Sequence, residues 1–244
     1  MMQNDFVVVL GATGGIGQSI CRQLAESGWS IYIHYHRQEK VALALQKALQ
    51  NDFPVQTFII IQADFEVDGG AEKIAQMISN MRAIVVANGQ SMNKLLSETT
   101  TKDMNALWNV HMQNPARLIS LVSNRLRQHE ISYIVFIGSI WGNTGAAGEV
   151  MYSAVKGAQH AFVKAYAKEA SFGGIRVNAV APGWIETRMN DDIPAEEKAL
   201  VMEEIPLLTT GSPEQVADLV SFLLSGKADY MTGEILKLNG GWYI

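Results

Sequence analysis

The chain has 244 residues, of which 48% are hydrophobic, a fraction that suffices for a sizeable core and excludes a disordered chain. The formal net charge of −5 argues against a nucleic-acid-binding surface and against binding to anionic membranes. We expect no signal peptide, because residues 1–5 lack a basic region, and no membrane span, because no apolar run approaches about 20 residues. The single cysteine, Cys21, excludes an intramolecular disulfide, so we expect a cytoplasmic protein.

Short runs rich in Val and Ile alternate along the chain with helical patterns. The runs predict strands at residues 6–10, 31–35, 55–61, 83–87, 131–137, 175–181 and 235–238. The helical patterns cover residues 16–27, 39–51, 71–80, 103–128, 152–171 and 213–225. Strands that are apolar on both faces and separated by helices are typical of a parallel sheet covered on both sides. We therefore predict one α/β domain over residues 1–244, a Rossmann-type doubly wound sheet of about seven strands with helices on both faces.

Three features interrupt this regular pattern. Ser212, followed by Pro213 and then Gln215, predicts a capped helix start. Pro115 lies inside the fifth helical pattern and predicts a kink or a break. Residues 184–210 lack a strong pattern, and we interpret them as a lid over a substrate, with an ordinary surface excursion as the alternative.

A glycine-rich turn follows the first predicted strand. Glycine permits a positive φ and lets a phosphate approach the backbone, and the helix that follows offers free N–H groups. Its position between the first strand and the first helix predicts a dinucleotide phosphate site. The residues of this predicted site are Gly11, Thr13, Gly14, Gly15, Ile16 and Gly17.

The end of the second strand indicates which dinucleotide binds. An Asp or Glu there would bind the ribose 2′-hydroxyl of NAD, but the chain has Tyr35, His36 and Arg37. Arg37 can bind the 2′-phosphate of NADP, so we predict NADP(H) rather than NAD(H); the alternative is that Arg37 begins a solvated helix. Asp64, after the third strand, is placed to accept from the adenine amino group or to cap its own loop.

Tyr152 and Lys156 are four residues apart and therefore share one helix face. A nearby positive charge favours the tyrosinate, so we expect the lysine to lower the pKa of the phenol. Ser139 ends the fifth predicted strand, where its hydroxyl can bind the same substrate oxygen. The glycine-rich turn, Ser139 and residues 178–183 all follow strands, and the carboxyl ends of parallel strands meet at one edge of the sheet. We therefore expect them to form one site.

The five histidines do not indicate a metal site. None of them pairs with another ligand on one helix face, and His34 and His36 share a strand face but lack a third ligand. We therefore predict no metal.

The ordered set of these motifs resembles the short-chain dehydrogenase/reductases over essentially all 244 residues. Residues 180–187, 231–234 and 238–241 are most similar to 3-oxoacyl-acyl-carrier-protein reductases. The resemblance implies that Tyr152 is the general acid/base, that Lys156 lowers its pKa and binds the nicotinamide ribose, and that Ser139 positions the carbonyl oxygen. Hydride would pass between nicotinamide C4 and the substrate carbon.

The resemblance also implies the remaining contacts of the cofactor and the substrate. Asp64 and Phe65 would flank the adenine, and Ala87, Asn88 and Gly89 would pack beside the adenosine ribose. The nicotinamide side would be lined by Pro182, Gly183, Ile185 and Thr187. An apolar substrate portion is indicated by Trp141, Met151, Trp184 and Met189, with ordinary packing as the alternative for each.

Two departures from the family concern the sheet edge. Leu10 stands where the family commonly has Thr, so a hydroxyl that ties neighbouring loops is missing. Residues 86–89 read Val-Ala-Asn-Gly where the family usually has Asn-Asn-Ala-Gly. We expect backbone contacts to the ribose to survive this change and the side-chain hydrogen bonds that brace the sheet to be lost.

A third departure is His111, where the family usually has an Asn that holds a water connecting the lysine to solvent. The imidazole could join the proton relay, could block the water, or could be a satisfied helical histidine.

A fourth departure concerns acyl carrier protein, which relatives hold with arginines beside the site mouth. The matching positions here are Glu130 and Gly173. Arg125 and Arg127 would compensate or would be solvated helix charges.

These observations predict an NADP(H)-dependent reductase that converts a ketone to a secondary alcohol. A 3-oxoacyl thioester is one candidate substrate, with acyl carrier protein as a candidate partner and fatty acid biosynthesis as the setting. The alternative is a cofactor-binding protein with little turnover that serves as a structural or sensing partner. The resemblance suggests a homotetramer or a homodimer, with residues 241–244 buried against another subunit or tucked into the chain's own core.

Overall fold

A computed structural model describes residues 5–187 and 194–243. Within them, seven parallel strands form one sheet in the order β3-β2-β1-β4-β5-β6-β7. The strands are β1 (Phe6–Leu10), β2 (Ser30–Tyr35), β3 (Phe58–Gln62), β4 (Ala83–Val86), β5 (Ser132–Ile137), β6 (Ile175–Pro182) and β7 (Ile235–Leu238). The strand order reverses between β1 and β4, which is where doubly wound sheets bind ligands. The predicted doubly wound parallel sheet is confirmed.

The helices of the described residues cover both faces of this sheet. They are α1 (Gly15–Glu26), α2 (Glu39–Asp52), α3 (Gly70–Met77), α4 (Thr101–Trp108), α5 (Asn114–Leu126), α6 (Trp141–Thr144), α7 (Val150–Ala170), α8 (Ala195–Glu204) and α9 (Pro213–Leu224). The predicted cap of α9 is confirmed, because Ser212 and Gln215 exchange side-chain-to-backbone hydrogen bonds. Nowhere in the described ranges is a helix both long and apolar enough to cross a membrane.

The central strand β1 shows why the strands are apolar on both faces. Val7 and Val9 belong to one buried cluster, which also includes residues of α1 and α9. Val8 and Leu10 belong to a second cluster, which includes residues of α3, α5 and α7. Because both faces of the strand are buried, an uninterrupted apolar run replaces the alternation of a half-exposed strand.

Two predicted boundaries differ in the structure. Strand β3 begins at Phe58 rather than at residue 55, because Val55 lies in the preceding turn with 81% of its surface exposed. The pattern at residues 103–128 is not one helix, since a π-helical turn (Asn109–Gln113) separates α4 from α5. Pro115 lies in the first turn of α5, so the predicted break is confirmed.

Residues 184–210 follow β6, and the two ends of this segment are joined by backbone hydrogen bonds. Gly211 N donates to Trp184 O at 2.8 Å, and Glu186 N donates to Gly211 O at 2.9 Å. Between these ends lies α8, which the sequence analysis did not predict. Residues 188–193, which include Met189, lie outside the described residues. The closed ends fit both a lid and a surface excursion, and the lid stays a prediction.

Candidate active site

The predicted catalytic side chains meet at the carboxyl end of β5. Ser139 follows this strand, and Tyr152 and Lys156 lie in the first turns of α7. Lys156 Nζ donates to Ile137 O at 2.8 Å and lies 5.6 Å from the centre of the Tyr152 ring. Ser139 and Lys156 are only 8% and 4% exposed, whereas Tyr152 is partly exposed. The structure therefore brings the three predicted residues together.

The expected lowering of the phenol pKa is wrong for this arrangement. Burial raises the pKa of Tyr152 to about 12, the negative charge of Glu149 adds to this, and a hydrogen bond with Ser139 opposes it. Burial lowers the pKa of the Lys156 ammonium to about 7. Burial is therefore the largest cause of the shift in the pKa of both groups. At neutral pH the phenol keeps its proton, which is the state that can donate to a carbonyl oxygen.

His111 is fully buried in the π-helical turn and faces Tyr152. Its ring meets the Tyr152 ring edge-on, with centroids 5.7 Å apart. Burial, and then the charge of Lys156, lower the pKa of His111 to about 3, against the opposing hydrogen bond to Gln90. The imidazole is therefore neutral at physiological pH.

The Nε2 atom of His111 is bonded to the loop after β4. Its Nε2 lies 3.0 Å from Gln90 O and 3.2 Å from Gln90 N, so either tautomer can bond this residue. A Cβ on Gly89 would lie 2.8 Å from His111 Cε1, which explains a glycine there. Its Nδ1 has no hydrogen-bond partner among the described residues. His111 is thus not a fully satisfied helical histidine, and its role in a proton relay stays a prediction.

Gln159, which the sequence analysis did not single out, supplies a hydrogen bond that the backbone lacks before α5. Pro115 has no N–H group to donate to the carbonyl of His111 one turn earlier. Gln159 Nε2 donates to this carbonyl instead, at 2.8 Å. A signal for this was present, since Gln159 lies three residues after Lys156 on a helix that faces the site.

The glycine-rich turn has the geometry that a pyrophosphate requires. Gly11 has a φ of +72°, and a Cβ there would lie 2.5 Å from Asn88 Cα. A Cβ on Gly17 would collide with the carbonyl of Gly11. No side chain caps α1 at Gly14, so the N–H groups of its first turn face outward from the turn. The residues present therefore fit a bound dinucleotide.

Residues 183–187, the predicted nicotinamide side, lie against the glycine-rich turn. A Cβ on Gly15 would lie 3.2 Å from Thr187 Cγ2, so the two segments are in contact. Gly183 packs against Asn239, which leaves no room for a side chain at residue 183. Ile185 is 6% exposed and belongs to the core beside α9, so its side chain is mainly structural.

His34 supplies a link that the sequence analysis missed. Its Nδ1 accepts from Gly11 N at 3.1 Å, and its Nε2 therefore carries the proton and donates to Ala63 O at 3.2 Å. Burial lowers the pKa of His34 to about 4, which keeps the ring neutral. The imidazole thus links the glycine-rich turn to strand β2 and to the residue after β3. A link of this kind between neighbouring loops was expected to be missing because of Leu10.

At the predicted adenosine-phosphate end, two basic side chains each contact a carboxylate. Arg37 lies 3.0 Å from Glu66, and His36 lies 3.2 Å from Asp64. The Arg37 side chain is 71% exposed and precedes α2, so it does not begin that helix. Asp64 also accepts from Glu66 N at 2.7 Å, which is the loop-capping alternative. Its contact to the adenine stays a prediction.

Two aromatic residues of the predicted adenine end are packed into the protein. The Tyr35 hydroxyl donates to Glu39 at 3.3 Å. The Phe65 ring is 3% exposed and packs on His34, with centroids 5.1 Å apart. The side chain of Phe65 is thus part of the core, and its contact to an adenine stays a prediction.

The loop after β4 is braced against a helix. Ala87 N donates to Leu10 O at 3.1 Å, and Asn88 Nδ2 donates to Val110 O at 2.6 Å. The Asn88 side chain therefore holds the loop against the π-helical turn. This bond does not run to the sheet, so the expected loss of side-chain bonds that brace the sheet stays a prediction.

Of the two arginines near the predicted carrier-protein positions, Arg125 is structural and Arg127 is exposed. Arg125 donates to the carbonyls of Ala75 and Ile78 at the end of α3, so it is neither solvated nor available to a carrier. Glu130 and Gly173 precede β5 and β6 and lie at the amino ends of these strands. They are at the opposite edge of the sheet from Ser139, and the expectation that they border this site is wrong within one chain.

The predicted substrate residues lie around Ser139. Trp141 N donates to Ser139 Oγ at 3.2 Å, and Met151 precedes Tyr152 on α7. Met151 and Trp184 are partly exposed. No group of three or more His, Cys, Asp or Glu side chains within residues 5–187 and 194–243 is arranged to hold a metal ion.

The sequence and the fold both match known proteins. A family model described as enoyl-(acyl carrier protein) reductase matches residues 11–243. An uncharacterized oxidoreductase of Bacillus subtilis, YmfI, is 39% identical over 98% of this chain and 99% of its own. The 3-oxoacyl-[acyl-carrier-protein] reductase FabG of Aquifex aeolicus is 31% identical over 99% of this chain and 98% of its own.

A solved structure agrees with these matches. The blue fluorescent protein from a metagenomic library, in complex with NADPH, superposes with a TM-score of 0.93 at 26% identity. The superposition covers 100% of this chain and 99% of that one. The sheet order, the Ser139, Tyr152 and Lys156 arrangement and these matches agree, and the chain belongs to the short-chain dehydrogenase/reductase family of oxidoreductases.

Proposed function

We propose that this protein reduces a ketone to a secondary alcohol with NADPH, and that Tyr152 donates the proton to the carbonyl oxygen. The observation that carries the proposal is the arrangement of Ser139, Tyr152 and Lys156 at the carboxyl end of β5. NADPH, when bound, supplies the hydride.

The chain's own residues divide the remaining tasks. The Ser139 hydroxyl holds the carbonyl oxygen beside the phenol, which stays protonated because burial raises its pKa to about 12. Lys156 is held by the carbonyl of Ile137 and binds the ribose next to the nicotinamide. The protonated phenol is the form that donates the proton in the reduction direction.

Two observations support NADP(H) over NAD(H). Arg37 and His36 follow β2, where the chain has Tyr35 instead of the Asp or Glu that would bind a 2′-hydroxyl. The superposed blue fluorescent protein was solved with NADPH, and we extend this cofactor to the present chain. Arg37 would exchange Glu66 for the 2′-phosphate, a stronger partner for a guanidinium.

For the substrate we propose a 3-oxo compound, with a 3-oxoacyl thioester as one form. The name of the Aquifex relative, a 3-oxoacyl-[acyl-carrier-protein] reductase, supports this class at 31% identity. Acyl carrier protein as the partner, fatty acid biosynthesis as the setting, a homotetramer or homodimer and a cytoplasmic location belong to the same proposal. The alternative of a cofactor-binding protein with little turnover has no support in the arrangement of Ser139, Tyr152 and Lys156.

The test is NADPH oxidation by the purified protein with acetoacetyl-CoA and a panel of ketones. We expect turnover with NADPH that falls by at least about a hundredfold in Tyr152→Phe, because general acid catalysis contributes that much. NADH in parallel should give a lower kcat/KM. Tyr166→Phe, a partly exposed tyrosine later on α7, is the matched control and should keep full activity.

Two results would contradict the proposal. Equal turnover by wild type and Tyr152→Phe would remove Tyr152 from the reaction. Tight NADPH binding, seen by cofactor fluorescence, together with no reduction of any ketone would favour the non-catalytic alternative.

A further inference from the structure

The C-terminal segment, residues 239–243, touches both the nicotinamide side and the end of the candidate lid. Gly183 N donates to Leu238 O at 2.9 Å, and a Cβ on Gly183 would lie 2.8 Å from Asn239 Cβ. Leu207 N donates to Gly240 O at 3.2 Å, so the chain after α8 is tied to the same segment. The segment therefore connects two parts of the site.

Internal hydrogen bonds hold this segment in one shape. Asn239 Nδ2 donates to Tyr243 O at 2.9 Å, and Gly241 N donates to Asn239 Oδ1 at 3.1 Å. Gly241 has a φ of +86° and would place a Cβ 3.2 Å from Pro206. The turn thus needs glycine and presents Trp242 and Tyr243 in a fixed orientation.

Trp242 and Tyr243 pack on Trp141, and we name these three side chains the aromatic wall. Trp141 lies 5.3 Å from Trp242 and 5.5 Å from Tyr243 between ring centroids, and Trp242 lies 5.3 Å from Tyr243. All three remain partly exposed. Because Trp141 N bonds Ser139 Oγ, the wall begins next to the catalytic hydroxyl.

The chemistry of the wall indicates what it can bind. The indole N–H of Trp242 donates to Glu204 Oε2 at 3.1 Å, so this ring has only apolar contacts left to offer. A cluster of partly exposed rings beside a catalytic site leaves apolar surface in water that a ligand can cover. Aromatic rings prefer edge-to-face or offset contacts with other rings, which favours a flat apolar group over a short alkyl chain.

We infer that the aromatic wall is a specificity surface of the substrate pocket and that it selects ketones carrying a flat apolar group, such as an aryl group, on the carbonyl. This inference rests on the proposed reductase function. Glu204, the last residue of α8, is a positioning residue that holds Trp242 and couples the wall to the candidate lid.

The test compares ethyl benzoylacetate with ethyl acetoacetate, 3-oxo esters that differ in a phenyl and a methyl group. Wild type should prefer the phenyl ester. Trp242→Leu and Tyr243→Leu should each lower kcat/KM for the phenyl ester by about 3- to 10-fold, the value of one aromatic contact. Turnover of the methyl ester and the Kd for NADPH should change by less than about twofold. A general folding defect would instead change both of them.

Matched controls are available outside the site. Trp108 on α4 is 47% exposed and Tyr230 is fully exposed, so Trp108→Leu and Tyr230→Leu should leave the preference unchanged. Glu204→Ala should lose part of the preference for the phenyl ester. Glu204→Gln keeps an oxygen that accepts from the indole and should restore it.

Several outcomes would overturn the inference. If Trp242→Leu changes kcat/KM equally for both esters, or for neither, the aromatic wall does not select the substrate. An altered oligomeric state with an unchanged preference would assign the wall to a subunit contact. If wild type reduces neither ester, the proposed function fails separately. Binding to the wall is then tested by the quenching of tryptophan emission that ethyl benzoylacetate causes with NADPH present. Equal quenching in wild type and Trp242→Leu would overturn the inference.

Discussion

The ring of His111 meets the ring of Tyr152 edge-on at 5.7 Å, and the same imidazole bonds the backbone of Gln90. A histidine therefore packs the catalytic tyrosine against the loop after β4. Its pKa of about 3 means that it does not gain a proton in the working range of pH.

His111→Gln should accordingly lower kcat by about 3- to 10-fold, because the edge contact that orients Tyr152 is lost. The apparent pKa values of the kcat/KM profile should stay where they are in wild type. The measurement is a pH–rate profile of both proteins from pH 5 to about 9. A titration that disappears in the variant would show that His111 itself exchanges a proton, contrary to this prediction.

Acid should destabilise the fold through three buried, neutral histidines. The pKa values of His34, His111 and His160 are lowered from 6.5 to about 4, 3 and 4, in each case mainly by burial. The unfolded chain then binds protons more readily than the folded one. The stability that these groups contribute is complete above pH 6.5 and is lost as the pH falls towards their folded pKa values.

Urea unfolding between pH 7 and about 5 measures this loss, which has an upper limit of about 1.4 kcal/mol per pH unit for each histidine. His160→Gln removes one of the three groups and should flatten the slope. An unchanged slope in this variant would show that other groups cause the acid sensitivity.

Arg37 should determine the preference for NADPH. Charge-assisted hydrogen bonds to a phosphate contribute about 1.5 to 3 kcal/mol, so Arg37→Ala should raise the KM for NADPH by about tenfold or more and leave that for NADH nearly unchanged. Glu66→Gln removes the competing carboxylate and should lower the KM for NADPH. Arg22→Ala, which breaks an exposed pair with Asp52, is the matched control. Equal losses with both cofactors in Arg37→Ala would contradict the prediction.

Gln159 should contribute to stability through the carbonyl of His111. Gln159→Leu leaves this buried acceptor without its donor and should lower the free energy of unfolding by about 1 to 3 kcal/mol. Gln113→Leu, which breaks an exposed bond to Asp68, should change it by less than about 0.5 kcal/mol. Urea titrations of the two variants provide the comparison, and equal effects would argue against the structural role of this bond.

The strands and the catalytic trio were predictable because their signals are local. A strand buried on both faces is a continuous apolar run, and β1 kept the predicted residues 6–10. Tyr152 and Lys156 share a face through helical periodicity alone. Helix α8 was not predictable in this way, because its apolar and charged residues do not separate onto two faces. Pro115 indicated the break before α5, but the donor that satisfies the freed carbonyl comes from another helix.

The sequence by itself determined the family, the parallel sheet and the identity of Ser139, Tyr152 and Lys156, since spacing and periodicity are properties of the chain. Only the tertiary structure decided how these groups behave. Burial, which depends on packing, raises the pKa of Tyr152 where charge pairing predicted a lower one. The link from His34 to Gly11 and the contact of Trp242 with Trp141 join residues that are distant in sequence. Such contacts depend on how the layers pack, which no local pattern records.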